Sequence, residues 1–236
     1  MKIKDISKIC GWLYIVTILA SPVSNLFLNE KLIDAENISV TFKLIAENAA
    51  KYRLSVSIDF LAMVAVMVLA FSLYSILEPV NLYFAFLALG LRIGEVVLQA
   101  GAAVPDYLLL PLSQSAITSS GTGSLGLEHL GQMLLAGSTQ AVWLSFVFFS
   151  IGSLFNNYLF YKGRLIPQSL AIYGLIATGL YALGSITALF VDLPEIANMV
   201  MMFPLVLFEF SLGIYLITFG IKGQAAQPRA TSPLDA

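Results

Sequence analysis

Arg92, Glu95 and Gln99 lie in one apolar stretch, "LALGLRIGEVVLQAGAAV", which occupies residues 87–104. At 100° per residue their side chains fall within a sector of about 60° on a helix. A spacing of three lets Arg92 and Glu95 touch along that face. The chemistry open to such a group is specific. The guanidinium can hold an anionic or carbonyl-bearing molecule through charge-assisted hydrogen bonds. The carboxylate can neutralise it or handle a proton. Two more carboxylates occur in apolar surroundings: Glu209, in "FPLVLFEFSLGIYLITF", and Asp59, about one and a half turns into the run 54–77. One cation cannot neutralise three acids, so the remainder must be protonated, hydrated or bound to a cation. Gln140 is the deepest of a polar group that includes His129 and Gln132. The candidate ligand-binding set is therefore Arg92, Glu95, Gln99, Glu209, Gln140 and Asp59.

The elements that must position these residues follow from composition. The chain is 58% hydrophobic and 11% charged, with a mean hydropathy of +0.87. Soluble domains carry roughly 25% charged residues. That contrast excludes a soluble globule. A spanning helix needs about 20 mostly apolar residues, and six runs qualify: 9–28, 54–77, 82–104, 133–161, 169–191 and 197–221. The expected fold is all-α, a bundle of six transmembrane helices over residues 1–222, followed by a disordered cytoplasmic tail at 223–236. Lys2, Lys4 and Lys8 before "ICGWLYIVTILAS" also fit a signal peptide. The apolar stretch continues into "LFL", beyond a signal core, which favours a retained span.

Orientation follows from basic residues. With the amino terminus in the cytoplasm, the inner side holds Lys2, Lys4, Lys8, Lys162, Arg164, Lys222 and Arg229, against Lys31, Lys43, Lys51 and Arg53 outside. The expectation is a multi-pass protein of a bacterial inner membrane with both termini cytoplasmic. In "NISVTFKLIAENAAKYR", Ile38, Phe42, Ile45, Ala49 and Tyr52 recur at helical spacing. This predicts an outer amphipathic helix between the first two spans, lying on the membrane surface or extending span two. Extended onward, the stripe runs through Val56, Asp59, Met63 and Val66. The segment 105–132, broken by Pro105 and Pro111 and rich in Ser, Thr and Gly, predicts an outer lid with "YLLLPL" dipping toward the bilayer, or a flexible loop.

Within span three, Gly90, Gly94 and Gly101 face away from Arg92, and Gly90-x-x-x-Gly94 has the spacing that lets helices approach closely. An Arg or Asp at a helix centre costs about 2.5–3.5 kcal/mol on insertion, so the polar face should turn inward. Span three is expected to be central. In span five, Gly174, Thr178 and Ala182 form a second small-residue face, suited to internal packing or to a homo-oligomer.

Several chemistries have no support in the inventory. There is no phosphate-binding Gly-rich loop with a lysine and no G-x-S-x-G elbow. One histidine and one cysteine give no zinc ligand set. No cofactor and no metal are expected, and a net charge of −2 gives no reason to expect nucleic acid. The partners expected are membrane lipids and a small-molecule or lipid ligand.

The six-span layout, the long segment between spans one and two, and "LRIGEVVLQAG" with its Arg92-x-x-Glu95 resemble a bacterial family of integral membrane proteins described as domain of unknown function 4386. The likeness runs from about Gly11 to Ile221. It implies a polytopic inner-membrane protein and brings no activity or cofactor. The expected function is binding or translocation of a small molecule or lipid in a mid-membrane polar pocket, coupled to a proton through Glu209. A non-catalytic sensor or assembly partner is the alternative. An intramembrane enzyme acting on a lipid or isoprenoid comes third, because no nucleophile or metal set stands out.

Overall fold

The computed structural model describes residues 3–24, 32–34, 37–118, 122–191 and 193–222. The expected tail lies outside the described residues. Within them the chain is all-helical: α1 (Ile3–Ser24), α2 (Ile38–Glu47), α3 (Ala49–Leu77), α4 (Leu82–Thr118), α5 (Thr122–Lys162), α6 (Gln168–Thr187) and α7 (Glu195–Thr218). Helices α3 to α7 are each long and apolar enough to cross a membrane. Helix α1 has 22 residues and carries Lys4, Asp5 and Lys8 in its first two turns.

The six longer helices close a ring. Helix α1 packs on α3, α3 on α4, α4 on α5, α5 on α6, α6 on α7, and α7 returns to α1. The short α2 caps this ring at one end, resting on α4, α5 and α3. The opposite end, the base, holds the turns at 78–81 and 163–167.

The base is solid. Leu73, Ile76, Leu77, Leu159, Phe160, Phe208, Leu212 and Leu216 are at most 1% exposed and belong to one cluster. Small residues set the helix spacing. A Cβ at Gly11 of α1 would lie 2.6 Å from the Gly213 carbonyl oxygen of α7 and 2.9 Å from the Ile217 backbone nitrogen, so only glycine permits this crossing. The Gly174, Thr178 and Ala182 face of α6 is buried within the chain. There Asn157 Nδ2 donates to Thr178 Oγ1 at 2.8 Å, and the Phe208 ring fills the space beside Gly174. Gly220, at φ 69°, ends α7 in the left-handed conformation that glycine adopts without steric cost.

The cap is a second cluster, built from Leu32, Ile38, Phe42, Ile45, Tyr52, Val56, Leu109 and Leu110. The Asn37 side chain accepts from the backbone N–H groups of Ser39 at 3.1 Å and Val40 at 3.2 Å, which starts α2 by satisfying two free donors. Its apolar stripe turns onto protein: Phe42 and Ile38 pack over Gly131 of α5. Asn48 separates α2 from α3.

The segment 105–132 differs from expectation. Its described residues are helical rather than a loop: α4 runs through Pro105 and Pro111 to Thr118, and α5 begins at Thr122. Proline in a helix interior removes a hydrogen bond and normally breaks the helix. Here tertiary packing outweighs that propensity, as it does for most helices in proteins. Leu109 and Leu110 are buried against the cap at 0% and 7% exposure, turned into protein rather than toward lipid. The Tyr52 hydroxyl donates to the Asp106 carbonyl at 2.8 Å, pinning this stretch of α4 to α3.

A candidate ligand cavity above the packed base

Between the solid base and the cap the ring is hollow. A cavity of about 940 Å³ is lined by residues of every helix in the ring and by the start of α2. That volume is at the upper end of the range for small-molecule sites, about 300–1,000 Å³.

Arg92 and Glu95 line the base side of the cavity, 4% and 3% exposed. Arg92 Nη1 stands 2.9 Å from Glu95 Oε2. The contact is an ion pair without hydrogen-bond alignment, since neither of those atoms has a hydrogen-bond partner in the described protein, nor does Arg92 Nε. The guanidinium carbon sits 4.9 Å from the centre of the Phe149 ring, a cation–π contact that steadies its plane. Gln99 Nε2 donates to the other oxygen of Glu95 at 3.4 Å. Glu95 is therefore held between two residues of its own helix, while part of the Arg92 donor set has no protein acceptor.

The approach of α4 to α5 explains why Arg92 points inward. The two helices come together at Gly152, where a Cβ would meet Leu91 Cβ at 3.2 Å, the Ala88 carbonyl at 3.4 Å and Arg92 Cδ at 3.4 Å. Ala85 and Ala88, each 1% exposed, share this contact face. The Gly90-x-x-x-Gly94 spacing does not mark a close crossing of backbones. A Cβ at Gly94 would meet the Phe148 side chain, and one at Gly90 or Gly101 would meet no neighbouring element within 4 Å. Helix α4 is one member of a ring rather than a central rod.

The other expected residues divide. Glu209 of α7 lines the cavity within electrostatic reach of both Arg92 and Glu95. Asp59 of α3 lines it too, with Ser24 Oγ donating to Asp59 Oδ2 at 2.9 Å. Gln140 is a correction. It is exposed on α5 and absent from the lining, whose polar members from α5 are Gln132, Ser138 and Thr139.

One acid escaped the sequence reading. Asp106 lines the cavity on the cap side, as does the buried Ser138 of α5. It falls only about 40° from Arg92 on a continuous helix, a signal hidden by treating Pro105 as the end of that helix.

A ring of long apolar helices around an internal polar-and-apolar cavity defines a multi-pass integral membrane protein. Within that class, the chain belongs to the family described as domain of unknown function 4386, whose model matches residues 9–220. No curated protein and no solved structure matches it.

Proposed function

We propose that the cavity binds a small molecule or lipid bearing an anionic or carbonyl group, held by Arg92, and that the protein retains or translocates it across a bacterial inner membrane. In this reading α1 is a sixth span, both termini are cytoplasmic, the cap is outside, and Glu209 carries a proton or the counter-charge. One observation carries the proposal. A guanidinium 4% exposed keeps Nε without a hydrogen-bond acceptor and Nη1 with only the ion-pair contact to Glu95, while it lines a cavity of ligand size. Leaving a buried polar group unsatisfied costs about 1–3 kcal/mol, more when it is charged. A ligand oxygen would recover that cost. Intramembrane ionisable groups commonly mark such pathways.

The test is to purify the protein from its native membrane and identify retained molecules by mass spectrometry. The comparison is with Arg92→Leu and with the double variant Arg92→Leu/Glu95→Leu, which removes the ion pair as a unit. An acidic or carbonyl-bearing species present in the wild type and lost from the double variant is the expected result. Equal retention by the double variant overturns the proposal and leaves Arg92 as a structural clamp.

A further inference from the structure

The cavity is open on one side. Its exposed lining residues are Gln132, Ala136 and Thr139 of α5, Met202 of α7, and Ile33 ahead of α2; those of α1, α3, α4 and α6 are buried or half-buried. An exposed residue that lines a cavity stands at its mouth. The helix lengths account for where that mouth lies. Near the cap, Ser24 of α1 donates to Asp59 of α3 at 2.9 Å, and Tyr52 of α3 to the Asp106 carbonyl of α4 at 2.8 Å, so those walls are tied. Helix α6 stands between α5 and α7 but stops short. Ser150 of α5 shares a 3.2 Å hydrogen bond with Ser185 of α6; α6 ends at Thr187, whereas α5 extends on to Thr122 at the cap end. From α6, Tyr181 alone reaches the cavity, and α5 does not pack on α7. The wall between α5 and α7 is therefore incomplete on the cap side.

The mouth lies at membrane depth. Val142, a lining residue next to Thr139, is twenty positions from Lys162 at the base, about 30 Å of helix rise, which is the thickness of a hydrocarbon core. Met202 is sixteen positions from Thr218, or about 24 Å. Beside it on α7, Met199, Val200 and Phe203 are 60 to 64% exposed, an apolar surface that at this depth meets acyl chains. The other ends of the cavity are closed. Phe42 and Ile45 in the roof are 2% and 0% exposed, and the floor is the buried base cluster. Inside the mouth the wall is apolar, with Val66, Phe146, Leu205 and Val206, and it leads to Arg92. Met63 and Met202 line the passage, and thioether side chains adapt to irregular apolar shapes.

We infer that the cavity is entered sideways from the cap-side leaflet, through the seam between α5 and α7, and that its ligand is a membrane-dissolved single-chain amphiphile with an anionic head. The head reaches Arg92, and the acyl chain lies along the apolar wall toward the seam. A volume within the range of small-molecule sites suits one chain rather than two. This rests on the Arg92 reading for the head. A water-soluble ligand would instead have to pass the roof.

Full-length protein in neutral nanodiscs, loaded with dodecanoate and chased with an isotope-labelled form, tests this by native mass spectrometry, which reads both occupancy and exchange rate. Thr139→Trp/Met202→Trp narrows the seam and leaves Arg92 in place. Exchange should slow by at least about tenfold with occupancy little changed, because a constriction raises the barrier to entry and exit alike. Gly131→Val, which acts on the roof, should leave the rate unchanged. Unslowed exchange in the seam variant, or faster exchange in the roof variant, overturns lateral entry. Absence of dodecanoate from the wild type overturns the acyl-chain ligand and leaves the Arg92 reading standing. So does displacement by equimolar acetate, which carries the carboxylate without the chain. Occupancy that is unchanged in Arg92→Leu/Glu95→Leu overturns the Arg92 reading instead. Should the tryptophan variant fail to fold, Met202→Ala widens the seam and should speed exchange severalfold; an unchanged rate there overturns lateral entry.

Discussion

The base and the cap are both apolar clusters, yet they are held in different ways. The base joins six helices in one buried cluster and includes a backbone approach, Gly11 against Gly213, where the neighbour is main chain and cannot yield. The cap is one ten-residue helix seated on extensions of α4 and α5. Its close contact at Gly131 is with the Phe42 and Ile38 side chains, which can rotate away. The cap also relies on polar ties: Asn37 on the first turn of α2, and Tyr52 on the Asp106 carbonyl. The comparison teaches that one end of the cavity is a fixed floor and the other a roof attached at a few points.

Three substitutions would break or sharpen that contrast. The largest effect is expected for Gly11→Val. Overpacking typically costs about 1–3 kcal/mol, occasionally more, and here backbone atoms stand in the way. The expected outcome is loss of the monodisperse peak in size-exclusion chromatography, with the cap variants below retaining theirs. A well-folded Gly11→Val protein would show that the floor is as adaptable as the roof.

Gly131→Val should act locally. The added methyls collide with Phe42, so α2 should lift while the ring survives. Limited proteolysis at Lys43 and Lys51 should speed up, with thermal stability falling by about 1–2 kcal/mol. Global unfolding would mean that the cap and base are one cooperative unit.

The smallest effect is expected for Tyr52→Phe, which removes a single hydrogen bond worth about 1 kcal/mol. A modest drop in melting temperature with unchanged proteolysis at Lys43 would place this tie between α3 and α4 rather than in α2. Accelerated cleavage would show that it holds the roof as a whole.

Much of this arrangement was legible in the sequence. The stripe Ile38, Phe42, Ile45, Tyr52, Val56, Asp59, Met63 and Val66 is the face that lines the cap and cavity, because helical period and burial are tied wherever one side is apolar. Arg92, Glu95 and Gln99 turned inward because a charge facing lipid is too costly. Local signals failed where distant partners decide. Pro105 and Pro111 read as the start of a loop, and the packing of Leu109 and Leu110 into the cap cluster, invisible to local signals, accompanies a helix that continues to Thr118. The Gly90 spacing was visible, but the neighbour that would use it was not; the close crossing fell at Ala88 and Gly152 instead. Gln140 was grouped with Gln132 by a generous view of one helical face, and the packing of α5 separates them.

Helix α4 carries both Arg92 and Asp106 on one rod, so their separation acts as a gauge. Any shift in it requires bending the rod rather than sliding one element past another. The weakest place to bend is Pro105, whose missing N–H leaves the Gly101 carbonyl without its usual helical donor, directly between the two charges. A joint at that position would let the length of an occupant be felt along the spine of the molecule.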